Sequence, residues 1–263
     1  MMRTIYFFII LFLFSCEKNT LIRDNPLDDE SGDYTSPTIS LLTELNNGDT
    51  LYSETLSISW EGNELVSEFR FKLDEFAWTE WSEDASTLLD YLDEGDHHVS
   101  AQSRYLNGDT SEILSVSFVV DAVDGPSLMF FPRRHFAQAG EIVTFQIMAE
   151  EVINLMMSEI HLEYNPTELE IISISQGSFF QNGQNSIFLY EINSEAGAVQ
   201  INMTLLDGDS HSVSGTGDLA SIQVKLLQSG SSQINFNGSD VFIDPDNSEI
   251  SILEKINGLV QTE

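Results

Sequence analysis

The sequence is poor in cysteine, in positive charge and in long apolar runs. A single Cys in 263 residues excludes a disulfide framework and any multi-thiolate metal site. Ten Lys+Arg stand against 43 Asp+Glu, for a net charge of −33. Phosphate recognition needs a basic stripe that this chain cannot supply, so nucleic acid is excluded as a partner, and polybasic attachment to anionic lipid with it. The five histidines, at 97, 98, 135, 161 and 211, are scattered, and no nucleophile elbow, zinc-protease or phosphate-loop pattern occurs. Among so many carboxylates acidic pairs arise by chance, so none can be singled out for glycoside chemistry. No catalytic residue, metal ligand set or cofactor is expected. Asp244-Pro245-Asp246-Asn247-Ser248 lacks the Gly and distal Glu of an EF-hand loop and reads as a hairpin turn, with Ca²⁺ on the Asp-rich turns left open. What is present is enough apolar material for real cores, at 41% hydrophobic and 10% aromatic, and enough length for about two domains.

Residues 1–15 read as an export signal: Arg3, then an unbroken apolar run over residues 5–14, too short for the roughly 20 residues of a membrane-spanning helix. The run ends in Leu13-Phe14-Ser15-Cys16, which resembles the bacterial lipobox, with bulky Phe14 where a smaller residue is usual. The resemblance implies that Cys16, the only cysteine, becomes the lipidated first residue of the mature chain. A plain secretory signal or an uncleaved anchor would leave Cys16 incidental. Residues 16–36 carry Asp24-Asn25-Pro26 and Asp28-Asp29-Glu30-Ser31-Gly32-Asp33 without apolar periodicity and read as a flexible acidic tether. Twenty such residues span about 25 Å.

Residues 37–121 change to short alternating runs, among them Leu56-Ser57-Ile58-Ser59-Trp60 and Phe69-Arg70-Phe71-Lys72-Leu73, with later strands at 98–102 and 116–120 and turns at 46–49, 93–96 and 107–109. That spacing predicts a β-sandwich. Trp60, the 71–74 strand, the Trp78/Trp81 pair and the 92–101 segment resemble a fibronectin type III or related Ig-like module, a fold used as spacer or binding platform. Trp78 and Trp81 read either as sugar-stacking rings or as packing on the sandwich. Adjacent strand residues point to opposite faces, so His97 and His98 cannot easily share a metal ion.

After a linker at 122–126, residues 127–263 read as a second β-rich unit of about nine strands with no long helix, a two-sheet jelly roll. Over residues 157–164 the faces separate: Ile160, Leu162 and Tyr164 toward a core, Met157, Glu159, His161 and Glu163 toward solvent. Gly140 before Val143-Thr144-Phe145, Val152-Ile153-Asn154-Leu155, Tyr164-Asn165-Pro166, Gly177-Ser178-Phe179-Phe180, Gly215 to Ile222 and Asn257-Gly258 occur in an order that resembles the cohesin domain, the receptor module for dockerin domains in cellulosomes. The family usually has Tyr-Asp-Pro in place of Tyr164-Asn165-Pro166, and a Gly where Met156-Met157 stands. The resemblance implies a partner-binding face at Met157, Glu159 and His161 with the neighbouring loop Leu206, Asp207, Gly208. Met157 reads equally as an ordinary exposed strand residue.

The expected architecture is all-β, two tandem sandwiches behind a lipoprotein signal. The leading functional reading is a non-catalytic adaptor in the bacterial envelope, fixed by lipid on Cys16 to a membrane such as the outer membrane, on its periplasmic or surface side. It would hold a dockerin-like protein. Binding of polysaccharide by the cohesin-like sandwich, in polysaccharide degradation, and a purely structural envelope protein are the alternatives. Residues 17–124 hold 5 Lys+Arg against 25 Asp+Glu and residues 125–263 hold 4 against 18; the denser charge on the first half reads as a solvated, self-repelling stalk.

Overall fold

The computed structural model of the chain describes residues 24–181, 185–206 and 212–262, and every regular element among them is a strand. Cys16, the export signal and the start of the tether lie outside the described residues, as do Asp207 and Gly208.

The first module stacks two sheets. β1 (Ile39–Leu41), β3 (Leu56–Gly62) and β5 (Ser86–Leu89) form one; β2 (Asp49–Leu51), β7 (Leu114–Val120), β6 (Gly95–Arg104) and β4 (Glu68–Leu73) form the other, in that order. The alternation that marked these runs places Ile58, Trp60, Val99, Ala101, Val116 and Phe118 between the sheets. Each fully buried Ile or Phe there contributes about 2 kcal/mol. Residues 27–36 depart from the free tether that composition suggests, because polar side chains of the module pin them. Asn107 Nδ2 donates to the Leu27 carbonyl at 2.7 Å, Tyr34 Oη to Asp109 Oδ2 at 3.0 Å, and Tyr105 Oη to the Thr35 carbonyl at 2.8 Å. Tyr105 is fully buried, and its hydroxyl needs such a partner.

The second module has twelve strands where about nine were expected. One sheet runs β12 (Leu169–Gln176), β15 (Val213–Leu226), β10 (Ile142–Leu155), β8 (Ser127–Phe131) and β18 (Glu254–Ile256). The other runs β13 (Ser186–Asn193), β14 (Ala198–Leu205), β11 (Met157–Tyr164), β16 (Ser231–Phe236), β19 (Gly258–Gln261) and β9 (Arg134–Phe136), with β17 (Val241–Ile243) also paired to β11. The additional strands are mostly three-residue pieces. β8 hides by a different route: Ser127 to Phe130 are all buried, so it shows no alternation. The inward positions of both sheets, such as Phe145, Ile147, Ile160, Ile201, Ile222 and Val224, make one continuous core. β10 slips register against β15 three times, and Glu151 and Asn154 take positive φ of 47° and 56° within that stretch, the mark of bulges that bend a long strand.

Candidate functional site

The register of the seven-stranded sheet assembles an outer face. Met157 lies opposite Thr204 on β14 and Ile243 on β17, and Ile187 of β13 lies opposite the same Thr204. Ile187, Thr204, Met157 and Ile243 therefore form one cross-strand row. Leu189, Asn202, Glu159 and Val241 form the next, and Glu191, Gln200 and His161 a third. The intervening residues, among them Ile160, Leu162, Val199, Ile201 and Met203, point into the core. The parity expected for β11 holds, and Met157, Glu159 and His161 share one face. Ser158, one position off, is fully buried beneath it.

The face grades from apolar to polar along the strands. Ile187, Leu189, Met157, Val241 and Ile243 lie toward one end, with Leu189 63% exposed. Leu206, 54% exposed, sits just beyond that end, its N–H bonded to the Asn185 carbonyl at 2.9 Å. At the other end Glu159 Oε1 accepts from Gln200 Nε2 at 2.9 Å and lies 3.1 Å from His161 Nε2. The backbone beneath is fixed by Asp240, whose Oδ1 accepts the His161 N–H at 2.6 Å while Oδ2 pairs with Lys255 Nζ at 2.7 Å. β13 is the sheet's edge strand, paired only with β14. Sequence reading found the β11 and Leu206 parts of this face but not β13, β14 or β17. The same period-two parity applied to Val199–Leu205 would have added Gln200, Asn202 and Thr204.

The other sequence candidates resolve without a ligand. Arg70 packs over Trp78 at 4.7 Å and over Trp81 at 4.5 Å; Arg104 also packs over Trp81 at 4.5 Å and Lys72 over Trp78 at 5.9 Å. Each indole is thus met by two cations of its own module, and both pack on the outside of the sheet rather than standing free. His98 turns outward to Ser117 and Ser100, while His97 turns inward and pairs with Asp74, the opposite faces expected. Asp244 Oδ1 accepts the N–H groups of Asp246 and Ser248, which accounts for that carboxylate as a turn former. Among the described residues no group of three His, Cys, Asp or Glu is placed to hold a metal ion.

A second focus of interaction, absent from the sequence reading, lies where the modules meet. Arg133, its side chain 2% exposed, donates to Glu54 Oε2 at 2.5 Å and to Glu94 Oε1 at 2.7 Å, and its N–H donates to Asp93 Oδ1 at 2.6 Å. Arg134 donates to Asp90 Oδ1 at 2.8 Å. Glu94 also accepts the Ala122 N–H at 3.1 Å, tying down the linker. Burial pushes the carboxyls of Asp93 and Glu94 above their ordinary range despite Arg133. His97 braces the turn: Nδ1 meets Asp74 Oδ2 at 2.8 Å and Nε2 the Asp93 carbonyl at 2.9 Å. Burial alone would depress its pKa, but these acceptors outweigh it and hold the imidazole above its ordinary value. Four carboxylates read as part of a solvated stalk, Glu54, Asp90, Asp93 and Glu94, are instead a socket for two arginines.

These features define a tandem β-sandwich protein with a mixed apolar and polar sheet face on its second module. Residues 134–261 match the family model of the cohesin domain, the span in which the ordered motifs lie. Solved structures similar to this chain include a type II cohesin domain from the cellulosome of Acetivibrio cellulolyticus, at 19% identity over 51% of this chain and 94% of that one, TM-score 0.47. A non-cellulosomal cohesin from the archaeon Archaeoglobus fulgidus is 20% identical over 52% and 90%, TM-score 0.44. A type I cohesin–dockerin complex from Clostridium thermocellum matches at 16% identity over 52% and 98%, TM-score 0.45. No curated protein matches the chain.

Proposed function

We propose that this protein is a non-catalytic adaptor, attached to the bacterial envelope through lipid on Cys16, whose second module holds a dockerin-like protein partner on the outer face of β13, β14, β11 and β17. The observation that carries the reading is the three-row face itself, exposed and graded from apolar to polar, within the segment matched by the cohesin family. Its rows contain Ile, Leu, Val and Met beside Glu, Gln, Asn, Thr and His, and no Phe, Tyr or Trp. That composition suits a protein surface better than a polysaccharide, which wants stacked rings. The first module then serves as the spacer on which the face is held away from the lipid.

The test is capture from the native envelope with the full chain as bait, repeated with Leu189→Asp and Met157→Asp. A partner recovered by the parent and lost with both variants supports the reading. Recovery of no protein, or equal recovery with all three baits, overturns it. Attachment is tested separately by labelling with a lipid precursor, which should fail on Cys16→Ser; surviving label removes the anchor from the account.

A further inference from the structure

The junction between the modules encloses a recess separate from the sheet face. It has a volume of about 410 Å³ and is walled by Phe76, Asp90 and Tyr91 from the first module and Arg134, His135 and Phe136 from the second. Three aromatic rings stand open around it, Phe76 at 58%, Tyr91 at 41% and Phe136 at 39% exposure, although the largest rings of both cores are closed to solvent. Phe76 and Phe136 meet edge to face at 6.5 Å across the module boundary. Arg134 lies 4.9 Å over Tyr91 and 4.8 Å over Phe136 while bonded to Asp90. The backbone that presents these groups is strained on the first module's side. Tyr91 sits at φ 54° and Asp74, in the turn that carries Phe76, at φ 49°. A left-handed conformation is an outlier for a bulky residue such as Tyr and is a feature that gathers at ligand sites.

The chemistry of the walls narrows the ligand. Asp74, Asp90 and Asp93 repel an anion. A small cation finds its places taken, because the carboxylates already face His97, Arg134 and the Arg133 N–H, and Arg134 already covers two of the rings. Burial lowers the pKa of His135, which keeps the imidazole neutral. With Nε2 donating to the Thr144 carbonyl at 2.8 Å, its Nδ1 is an acceptor. What the recess still offers is hydrogen-bond acceptors beside the exposed ring of Phe76, whose quadrupole favours weakly positive C–H groups. A pyranose ring presents O–H donors at its rim and C–H groups on its face. A pocket of this volume with a few convergent polar groups is of the size that holds small ligands.

We propose that this recess binds a neutral carbohydrate, with Phe76, the one ring of the three that Arg134 does not cover, as the stacking platform and with His135 and the Asp90 carboxylate oxygen not bonded to Arg134 accepting from its hydroxyls. The site needs both modules, so it depends on the Arg133 socket, but it does not rest on the sheet face holding a protein. The experiment is calorimetric titration of the full chain with neutral tetrasaccharides of glucose, xylose and mannose, and with tetramethylammonium as a cationic probe. Saturable binding of at least one tetrasaccharide is expected. Phe76→Ala, at an exposed ring, should weaken it about tenfold, the loss of one stacked ring, with unchanged melting temperature, while Leu189→Asp leaves it intact. Binding of no tetrasaccharide, binding of tetramethylammonium alone, or tetrasaccharide binding that Phe76→Ala leaves unaltered overturns the proposal.

Discussion

The outer sheet face and the module junction answer the same shortage of cations in opposite ways. Neither Lys nor Arg occurs in the three rows of the face. Its polar end is held by Gln200 and His161 around Glu159, and its apolar end is half-open, exposed at Ile187 and Leu189. The junction takes Arg133 and Arg134, two of the four basic residues in 125–263, and buries the first almost completely. A buried arginine held by two carboxylates fixes geometry, whereas partly exposed apolar side chains on a sheet face are free to be covered. The same acidic chain therefore has one surface that is closed and one that is open.

The largest way to break this comparison is to empty the socket. Arg133→Met leaves Glu54 and Glu94 without their guanidinium, while the backbone N–H that Asp93 accepts is kept, and should lower the unfolding free energy by about 3 kcal/mol, the cost of removing one member of a buried pair. Chemical denaturation measures it, and partner capture at the face should persist under native conditions. The converse change is Leu189→Asp. It should weaken partner binding by about 2 kcal/mol, as expected if this most exposed apolar side chain of the three rows is an anchor, while thermal stability moves by less than about 0.5 kcal/mol. If either variant shifts both readouts equally, the two regions are not independent.

A smaller effect separates packing from recognition on the first module. Arg70→Gln removes the guanidinium between Trp78 and Trp81 and should cost about 1 kcal/mol of stability, read from the denaturation midpoint, with no change in either binding assay. The smallest concerns His97. Its folded pKa lies above the unfolded value, so its stabilisation is complete below about pH 6.5 and is lost as pH rises through the folded value. The parent melting temperature should fall more between about pH 6 and pH 8 than that of His97→Gln. Parallel pH profiles would remove the imidazolium from the bracing of the junction.

The all-β architecture, the tandem modules and the two faces of β11 were legible because each rests on local period-two alternation. Three things were not. β8 buries Ser127 to Phe130 without alternating, so its pattern does not distinguish strand from any other buried run. The partners of residues 27–36 are Asn107, Asp109 and Tyr105, far along the chain, and composition reports only that the segment is polar. Arg133 finds Glu54 79 positions away and Glu94 39 positions away, a pairing that no spacing rule encodes. The candidate face was half seen for a related reason. Parity gives which residues of one strand point outward, but only the register of β13, β14 and β17 against β11 tells which of them become neighbours.

Glu94 joins two tasks, gripping Arg133 and holding the Ala122 N–H of the linker, at the opposite end of β6 from the turn where residues 27–36 are pinned. Ten strand residues set these ends about 33 Å apart. A pull on the second module would be shared between the linker and the Glu54, Asp90, Asp93 and Glu94 contacts of the socket, and Glu94 would pass its part along β6 toward the end where residues 27–36 are pinned. The linker cannot go slack before the socket opens, so the assembly behaves under load as a strut that yields at one joint rather than as beads on a string.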